Sequence, residues 1–343
     1  MRVGIPQALL YYQYYPMWKT FFEHLGAEVL TSKETTKAMM VTGSSCMVAE
    51  TCLPTKVFCG HVIELAEQVD VVFAPSIRSL ETNVYNCSKF LGLPDLVRST
   101  VKKAPTIIDI EIDVNKGPKK VREEIQLLGK HFTRKSSDID RAWERAQAAD
   151  AAYKRLLHSG LTPPEAIARL ENAGGDPGPL LRDSAHADLT VAVVGHPYNI
   201  YDGYINHKLV ERLGKMGARV VTAEMAAEGA LDAGTARLVG KPYWTFEDEV
   251  VGAAGHYLYQ GADGVLCVVS FGCGPDSLMV DVIQRAAKVH GQVPLAIITI
   301  DEHTGEAGLV TRLEAFVDML RRRRAKRSAA AQKTEDEGQR PET

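Results

Sequence analysis

Residues 189–223, LTVAVVGHPYNIYDGYINHKLVERLGKMGARVVTA, decide the fold. A short apolar run, 189–194, meets a Gly-His-Pro turn. A stretch with helical spacing follows, then Gly217-Ala218 and a second β-branched run. This is a strand, a helix and a strand in order, the opening of a parallel sheet. The same grammar begins the chain, with a strand from Val3 to Ile5, a turn, a helix to about Leu25 and a strand from Ala27. At an offset of 191, Gly4 meets Gly195, Pro6 meets Pro197, Gly26 meets Gly217, Ala27 meets Ala218 and Val29 meets Val220. The unbroken register predicts an internal duplication, and each copy predicts a mostly parallel sheet covered by helices.

Further short apolar runs fit buried parallel strands: 69–74 and 106–110 in the first copy, 264–271 and 295–300 in the second. The expected class is therefore α/β, with two Rossmann-like domains related by duplication. The first covers 1–115 and the second 188–320. Between them, 116–187 reads as a helical connector rich in Glu, Lys, Arg and Ala, ending in the hinge-like Gly174-Gly175-Asp176-Pro177-Gly178-Pro179. Beyond Leu320 the chain is RRRRAKRSAAAQKTEDEGQRPET, which reads as a solvated, disordered tail over 321–343 in preference to a nucleic-acid or lipid contact.

At 343 residues, with 45% hydrophobic and 24% charged residues and a net charge of -3, the composition is that of a globular protein with neither nucleic acid nor membrane as a partner. No apolar run reaches the length of a membrane span, and the first residues lack a signal peptide's pattern, so a cytoplasmic location is expected. In that compartment six cysteines are core thiols, ligands or reactive groups, not a disulfide framework. Phosphate-loop, dinucleotide-fingerprint and nucleophile-elbow motifs are all missing, which leaves nucleotide hydrolysis, dinucleotide binding and esterase chemistry without support.

Three cysteines stand out by position. Cys52 precedes Leu53-Pro54 and a helical stretch, and Cys273 lies in Gly272-Cys273-Gly274-Pro275 between a strand and a helix. Cys87 follows another strand and leads into Lys89-Phe90-Leu91-Gly92. All three fall beyond carboxyl ends of parallel strands, where open α/β sheets bind ligands. Helix N-termini carry partial positive charge, which is expected to lower a thiol's pKa and to suit an anionic cluster. Burial as ordinary thiols is the competing reading. Cys46, Cys59 and Cys267 are weaker candidates: Cys59 shares a helical face with Cys52 as a core residue also would, and Cys267 sits inside an apolar strand. Glu302 and His303, in Asp301-Glu302-His303-Thr304-Gly305-Glu306, are candidates for acid–base chemistry, or for a capped turn before a helix. His196 either lines the cleft or braces its turn, and His61 reads as a helix-face histidine.

The segments Arg2-Val3-Gly4-Ile5-Pro6, Glu50-Thr51-Cys52-Leu53-Pro54-Thr55-Lys56, Cys87-Ser88-Lys89-Phe90-Leu91-Gly92-Leu93-Pro94-Asp95, Gly195-His196-Pro197-Tyr198-Asn199, Phe271-Gly272-Cys273-Gly274-Pro275-Asp276-Ser277 and Asp301 through Gly308 carry a resemblance. Over residues 1 to about 320 the chain resembles the CoA-substrate-specific enzyme activase-related family, grouped with the 2-hydroxyacyl-CoA dehydratase and benzoyl-CoA reductase subunits. The resemblance implies a 4Fe–4S cubane bound by Cys52, Cys87 and Cys273. It also implies low-potential electrons from a separate ATP-dependent activase of the acetate-kinase-like type, for reduction or dehydration of a demanding substrate such as an acyl-CoA. On that basis the chain is an iron–sulfur reductase or dehydratase-like component, with a homodimer or related subunit as a further partner. A branch of the superfamily carries a double-cubane 8Fe–9S cluster on six cysteines, and the cysteine count here, with Cys46, Cys59 and Cys267, favours that larger cluster. Two other classes stay open: a non-catalytic iron–sulfur carrier or scaffold, and a metal-free two-domain binding protein.

Overall fold

A computed structural model describes residues 1–102, 104–172, 187–241, 243–246, 248–290 and 293–338. The expected hinge at 174–179 lies outside the described residues. The first half runs β1 (Arg2–Ile5), α1 (Tyr11–His24), β2 (Glu28–Thr31), α2 (Lys37–Ser45), α3 (Leu53–Leu65) and β3 (Val71–Phe73). It continues with β4 (Ser76–Ser79), α4 (Ser88–Leu91), α5 (Leu93–Thr100), β5 (Thr106–Ile108) and β6 (Glu111–Asp113). Helices α6 (Pro118–Gly129), α7 (Ser136–His158) and α8 (Pro163–Glu171) follow. The second half is β7 (Leu189–Val194), α9 (Pro197–Ile200), α10 (Leu209–Lys215), β8 (Ala218–Val221), α11 (Ala230–Leu238), α12 (Ala253–Tyr259), β9 (Gly264–Ser270), α13 (Gly274–His290), β10 (Leu295–Ile300) and α14 (Glu306–Gly338).

Two four-stranded parallel sheets carry the halves, in the orders β2-β1-β3-β5 and β8-β7-β9-β10. The orders are the same, strand for strand, as the duplication requires. Ahead of each sheet's second strand, Gly26 and Gly217 hold the left-handed turn at φ 80° and 77° that reverses the chain into β2 and β8. The register is not unbroken, however. Val3 faces Val29, 26 residues on, whereas Val191 faces Val220, 29 residues on. Gly4 is therefore inside β1, while Gly195 follows β7. The second copy takes up its longer path where one helix was expected, because the chain leaves α9 and restarts at α10. Asp202 accepts the Tyr204 and Ile205 amides, and Asn206 donates to the carbonyls of Asn199 and Ile200 while accepting the Leu209 amide. These bonds satisfy the backbone groups that the break exposes.

The second sheet is buried on both faces with period two. Val191, Val193, Leu266 and Val268 join a core that runs through both halves, while Ala192, Val194, Val265 and Cys267 join a separate core under α12 and α13. In the first half, α1 is clamped by α7, where Trp143 lies 5.9 Å from Trp18 and the Tyr153 hydroxyl donates to the Tyr12 carbonyl. Expected strand 69–74 shortens to β3 and 106–110 to β5, while β6 follows as a further strand that pairs with β4 in a small parallel sheet of its own. Over the expected tail, 321–343, the described residues continue α14 to Gly338, and 339–343 lie outside the described residues. Leu309, Leu313, Phe316, Val317 and Leu320 bury one stripe of this helix. Beyond that stripe Arg321 bonds Asp188, and Arg324 reaches the Asp188 carbonyl, fixing the first turns of the segment. Among the described residues no helix is long and apolar enough to cross a membrane.

Candidate functional site: a cysteine cleft between the halves

Each of the three prominent cysteines starts a helix. Cys52 is the N-cap of α3 with Pro54 in its first turn, Cys87 is the N-cap of α4, and Cys273 immediately precedes α13. Their sulfurs lie where the first amides of a helix are unpaired. The Lys89 and Phe90 amides act to lower the Cys87 thiol and the Asp276 amide that of Cys273, and the Thr55 hydroxyl is 3.2 Å from the Cys52 sulfur.

The halves meet here. Gly272, at φ 76°, brings its Cα so close to the Cys52 loop that an added Cβ would stand 3.1 Å from the Glu50 carbonyl. Burial holds Cys273 well above the ordinary thiol pKa, with the Asp276 carboxylate and then Cys52 and Cys87 adding to it. Cys87 is likewise raised, first by burial and also by Cys52. The expected lowering by helix N-termini does occur through the amides, but desolvation and mutual repulsion outweigh it.

Cys59 and Cys267 are elsewhere. Both are 0% exposed, Cys59 two turns along α3 in the shared core and Cys267 on β9 in the second core, and burial pushes each up to about 12. The ionisable neighbour raising Cys59 further is Cys46, at the C-cap of α2, and that of Cys267 is Asp276. Among the described residues no three Cys, His, Asp or Glu side chains form a group that would hold one metal ion.

Polar groups frame the cleft. Lys56, 2% exposed, donates to the Ala49 carbonyl at 2.8 Å and to Glu302 Oε1 at 2.7 Å, joining the Cys52 loop to the second half. Burial pushes the Glu302 carboxyl up, but the Lys56 hydrogen bond and charge leave it below its ordinary value. His303 is exposed, and Asp301 accepts its amide and the Thr304 hydroxyl, which is the capped turn leading into α14. His196 has Nε2 3.1 Å from Asp276 Oδ1 and Nδ1 3.6 Å from Glu249 Oε2. Burial alone would lower the imidazole, but these two carboxylates hold it up at about 9. Asp276 also accepts the Ser270 amide, fixing the β9–α13 turn beside Cys273. His61 is buried away from the thiols, its ring nitrogens 2.7 Å from Ser32 Oγ and 2.8 Å from Thr35 Oγ1. Glu249 is the partner sequence reasoning missed, since it sits in a π-helical turn (Asp248–Gly252) with no periodic signal. Lys56 and Asp276 stood inside quoted motifs, but only the fold supplies their partners.

An open cavity of about 810 Å³ also lies between the halves, lined in part by Gln7, Tyr11, Thr35, Asp202, Tyr204 and Lys208; none of the cysteines lines it.

Residues 2–226 match the family model described as the CoA enzyme activase uncharacterised domain. No curated protein matches the chain at a significant level.

Proposed function

The chain belongs to this CoA-enzyme-activase domain family, and from that premise we propose that it is an iron–sulfur redox component whose Cys52, Cys87 and Cys273 hold one 4Fe–4S cubane. The observation that carries the reading is the convergence of three helix-starting cysteines from both halves, with Cys52 and Cys87 both acting on Cys273 and Cys52 acting on Cys87. Thiolates packed this way repel, and a cationic iron core is the chemistry that relieves them. A cubane spreads its cysteines over separate irons, so it does not need the tight cage of a single ion. The amides of Lys89, Phe90 and Asp276, which favour the thiolate forms of Cys87 and Cys273, suit the donor set, because N–H groups facing cysteine sulfur stabilise a reduced cluster. The sealing of Cys59 and Cys267 in separate cores favours one cubane over two.

When bound, the cluster supplies one-electron chemistry at low potential. The protein's own part is to hold the thiolates, to bring Gly272 against the Cys52 loop, and to fasten that approach through Lys56 and Glu302. With a 4Fe–4S cubane bound, Cys52, Cys87 and Cys273 would supply its three thiolate ligands. The donor of electrons is an ATP-dependent activase of the acetate-kinase-like type, and the substrate class is an acyl-CoA. Anaerobic reconstitution with ferrous iron and sulfide, followed by addition of such an activase with ATP, tests this. The expected result is about four irons per chain and ATP-dependent bleaching of the visible absorption. A chain that takes up no iron overturns the proposal, and one that binds iron but is never reduced is a carrier and not a redox component.

A further inference from the structure

The cavity of about 810 Å³ between the halves has no part in the cluster reading, since no cysteine lines it. Its volume falls in the range of small-molecule sites, roughly 300–1,000 Å³. Both halves supply aromatic rings to its wall, Tyr11 and Tyr12 from α1 and Tyr201 and Tyr204 from the stretch between α9 and α10. Tyr11 and Tyr12 meet edge to face with centroids 5.3 Å apart, and Tyr12 lies 5.8 Å from Tyr201 across the seam. The Tyr12 hydroxyl donates to the Tyr201 carbonyl at 3.1 Å, which fixes the rings of the two halves against each other. Burial, and then Glu171 for Tyr11 and Asp202 for Tyr12, hold these two phenols well above their ordinary pKa, so the rings stay neutral and offer electron-rich faces.

The charge around these rings is one-sided. Six carboxylates line the cavity, those of Glu34, Glu165, Glu171, Asp202, Glu211 and Glu306, against the cations of Lys208 and Arg212. Arg212 is already spent on Glu306 and on the His207 carbonyl. Glu171 and Glu211 take Lys19 and Lys215 in turn. Asp202, buried at 5% exposure, accepts only neutral donors, the Thr35 hydroxyl and the Tyr204 and Ile205 amides. Burial holds it at about 6, so it is ionised at neutral pH, and Glu34 is near enough to raise it further. Among the described residues Glu34 has no cationic partner. Two carboxylates without a counter-charge beside a wall of tyrosines make the surroundings that attract an organic cation, whose charge meets the acids while its body covers the rings. The geometry points to this cavity as a second ligand site, one that takes the ammonium group of a small amine or quaternary ammonium compound. A polyanion such as a coenzyme A ester meets repulsion there, so the site is separate from the substrate class proposed for the cysteine cleft.

Phenethylamine, cationic at neutral pH, is the probe, with hydrocinnamate as an anion of similar shape, each titrated into the full chain by isothermal calorimetry. The expected result is saturable binding of the amine and none of the carboxylate. Glu34→Gln keeps the shape and removes the charge, and should weaken the amine about threefold to fivefold. At Gly203 an added Cβ meets only Lys208 Cγ, at 3.6 Å, so the backbone accepts a side chain that fills the cavity. Gly203→Phe should abolish binding while urea unfolding stays that of the wild type. If Gly203→Phe does not fold, Glu34→Gln decides alone. No saturable binding of the amine, equal binding of the carboxylate, or an amine affinity that the folded variants leave unchanged overturns the site. Iron is absent from the assay, so neither result bears on the cluster reading.

Discussion

Cys52 and Cys59 lie on one helical stretch, seven residues apart, and meet opposite surroundings. Cys52 caps the helix at the seam of the halves, partly exposed, with Thr55 beside it and two other thiols in reach. Cys59 faces the core, with α2 packed against its helix. The difference teaches that in this fold a cysteine's chemistry is set by where a helix begins and not by its helical face. The second half repeats the lesson, with Cys273 before α13 and Cys267 sealed on β9.

The sharpest way to break this comparison is alanine substitution. Cys52→Ala, Cys87→Ala and Cys273→Ala should each lose most of the iron taken up on reconstitution. Cys59→Ala and Cys267→Ala should keep it and instead lower stability by about 1–2 kcal/mol in urea unfolding, the cost of a small cavity. Iron loss from the sealed pair with the capping three unaffected would invert the account.

Packing around the Cys52 helix gives the next effect. Gly43 and Gly60 let α2 and α3 touch backbone to backbone, since added Cβ atoms would stand 2.0 Å from the Lys56 carbonyl and 2.2 Å from the Met39 carbonyl. Gly60→Ala should therefore cost about 2–3 kcal/mol by forcing the helices apart. Gly274→Ala, beside Cys273 but with open space around it, should leave urea unfolding unchanged.

Lys56→Met should destabilise by about 2 kcal/mol in the same assay, less than the loss for a wholly buried pair because Glu302 keeps contact with water. The sign with pH follows from the depressed Glu302 carboxyl. Its contribution is present above the unfolded carboxyl pKa and is lost as pH falls through the lower folded value. The stability gap between wild type and Lys56→Met should accordingly narrow in acid.

The smallest effect separates His61 from Asp202. Burial lowers His61 to about 4, so its ring should stay neutral in NMR titration until well below pH 6. Its contribution to stability is full above pH 6.5 and is lost as pH falls toward 4. Burial also holds Asp202, bonded to the same Thr35, up at about 6, and its contribution runs the other way, lost as pH rises from about 4 to 6. Site-resolved titration, not total stability, is therefore the measurement.

Much of the fold was legible because its signals are local. The run 295–300 is β10 to the residue, and the two copies gave the shared strand order. Pro54 and Gly274-Pro275 marked the helix starts at Cys52 and Cys273. What the sequence hid depends on distant partners. The break between α9 and α10 is stabilised by Asp202 and Asn206 side chains bonding backbone, which periodicity does not register. The small β4–β6 sheet pairs segments too short to announce themselves. The pairing of Arg321 with Asp188 and of Arg324 with Asp263 joins the polar run after Leu320 to distant residues that its own composition does not reveal. Around the cysteines, the residue types and helix ends were readable, whereas the Lys56–Glu302 and His196–Asp276 pairings, 246 and 80 residues apart in sequence, were not.

The most direct test of the central claim is the iron content of a chain carrying Cys46→Ala, Cys59→Ala and Cys267→Ala together, reconstituted anaerobically beside the wild type. One cubane on Cys52, Cys87 and Cys273 predicts about four irons per chain in both proteins. About eight in the wild type, falling in the triple variant, would contradict the account and assign the cysteines to a larger cluster.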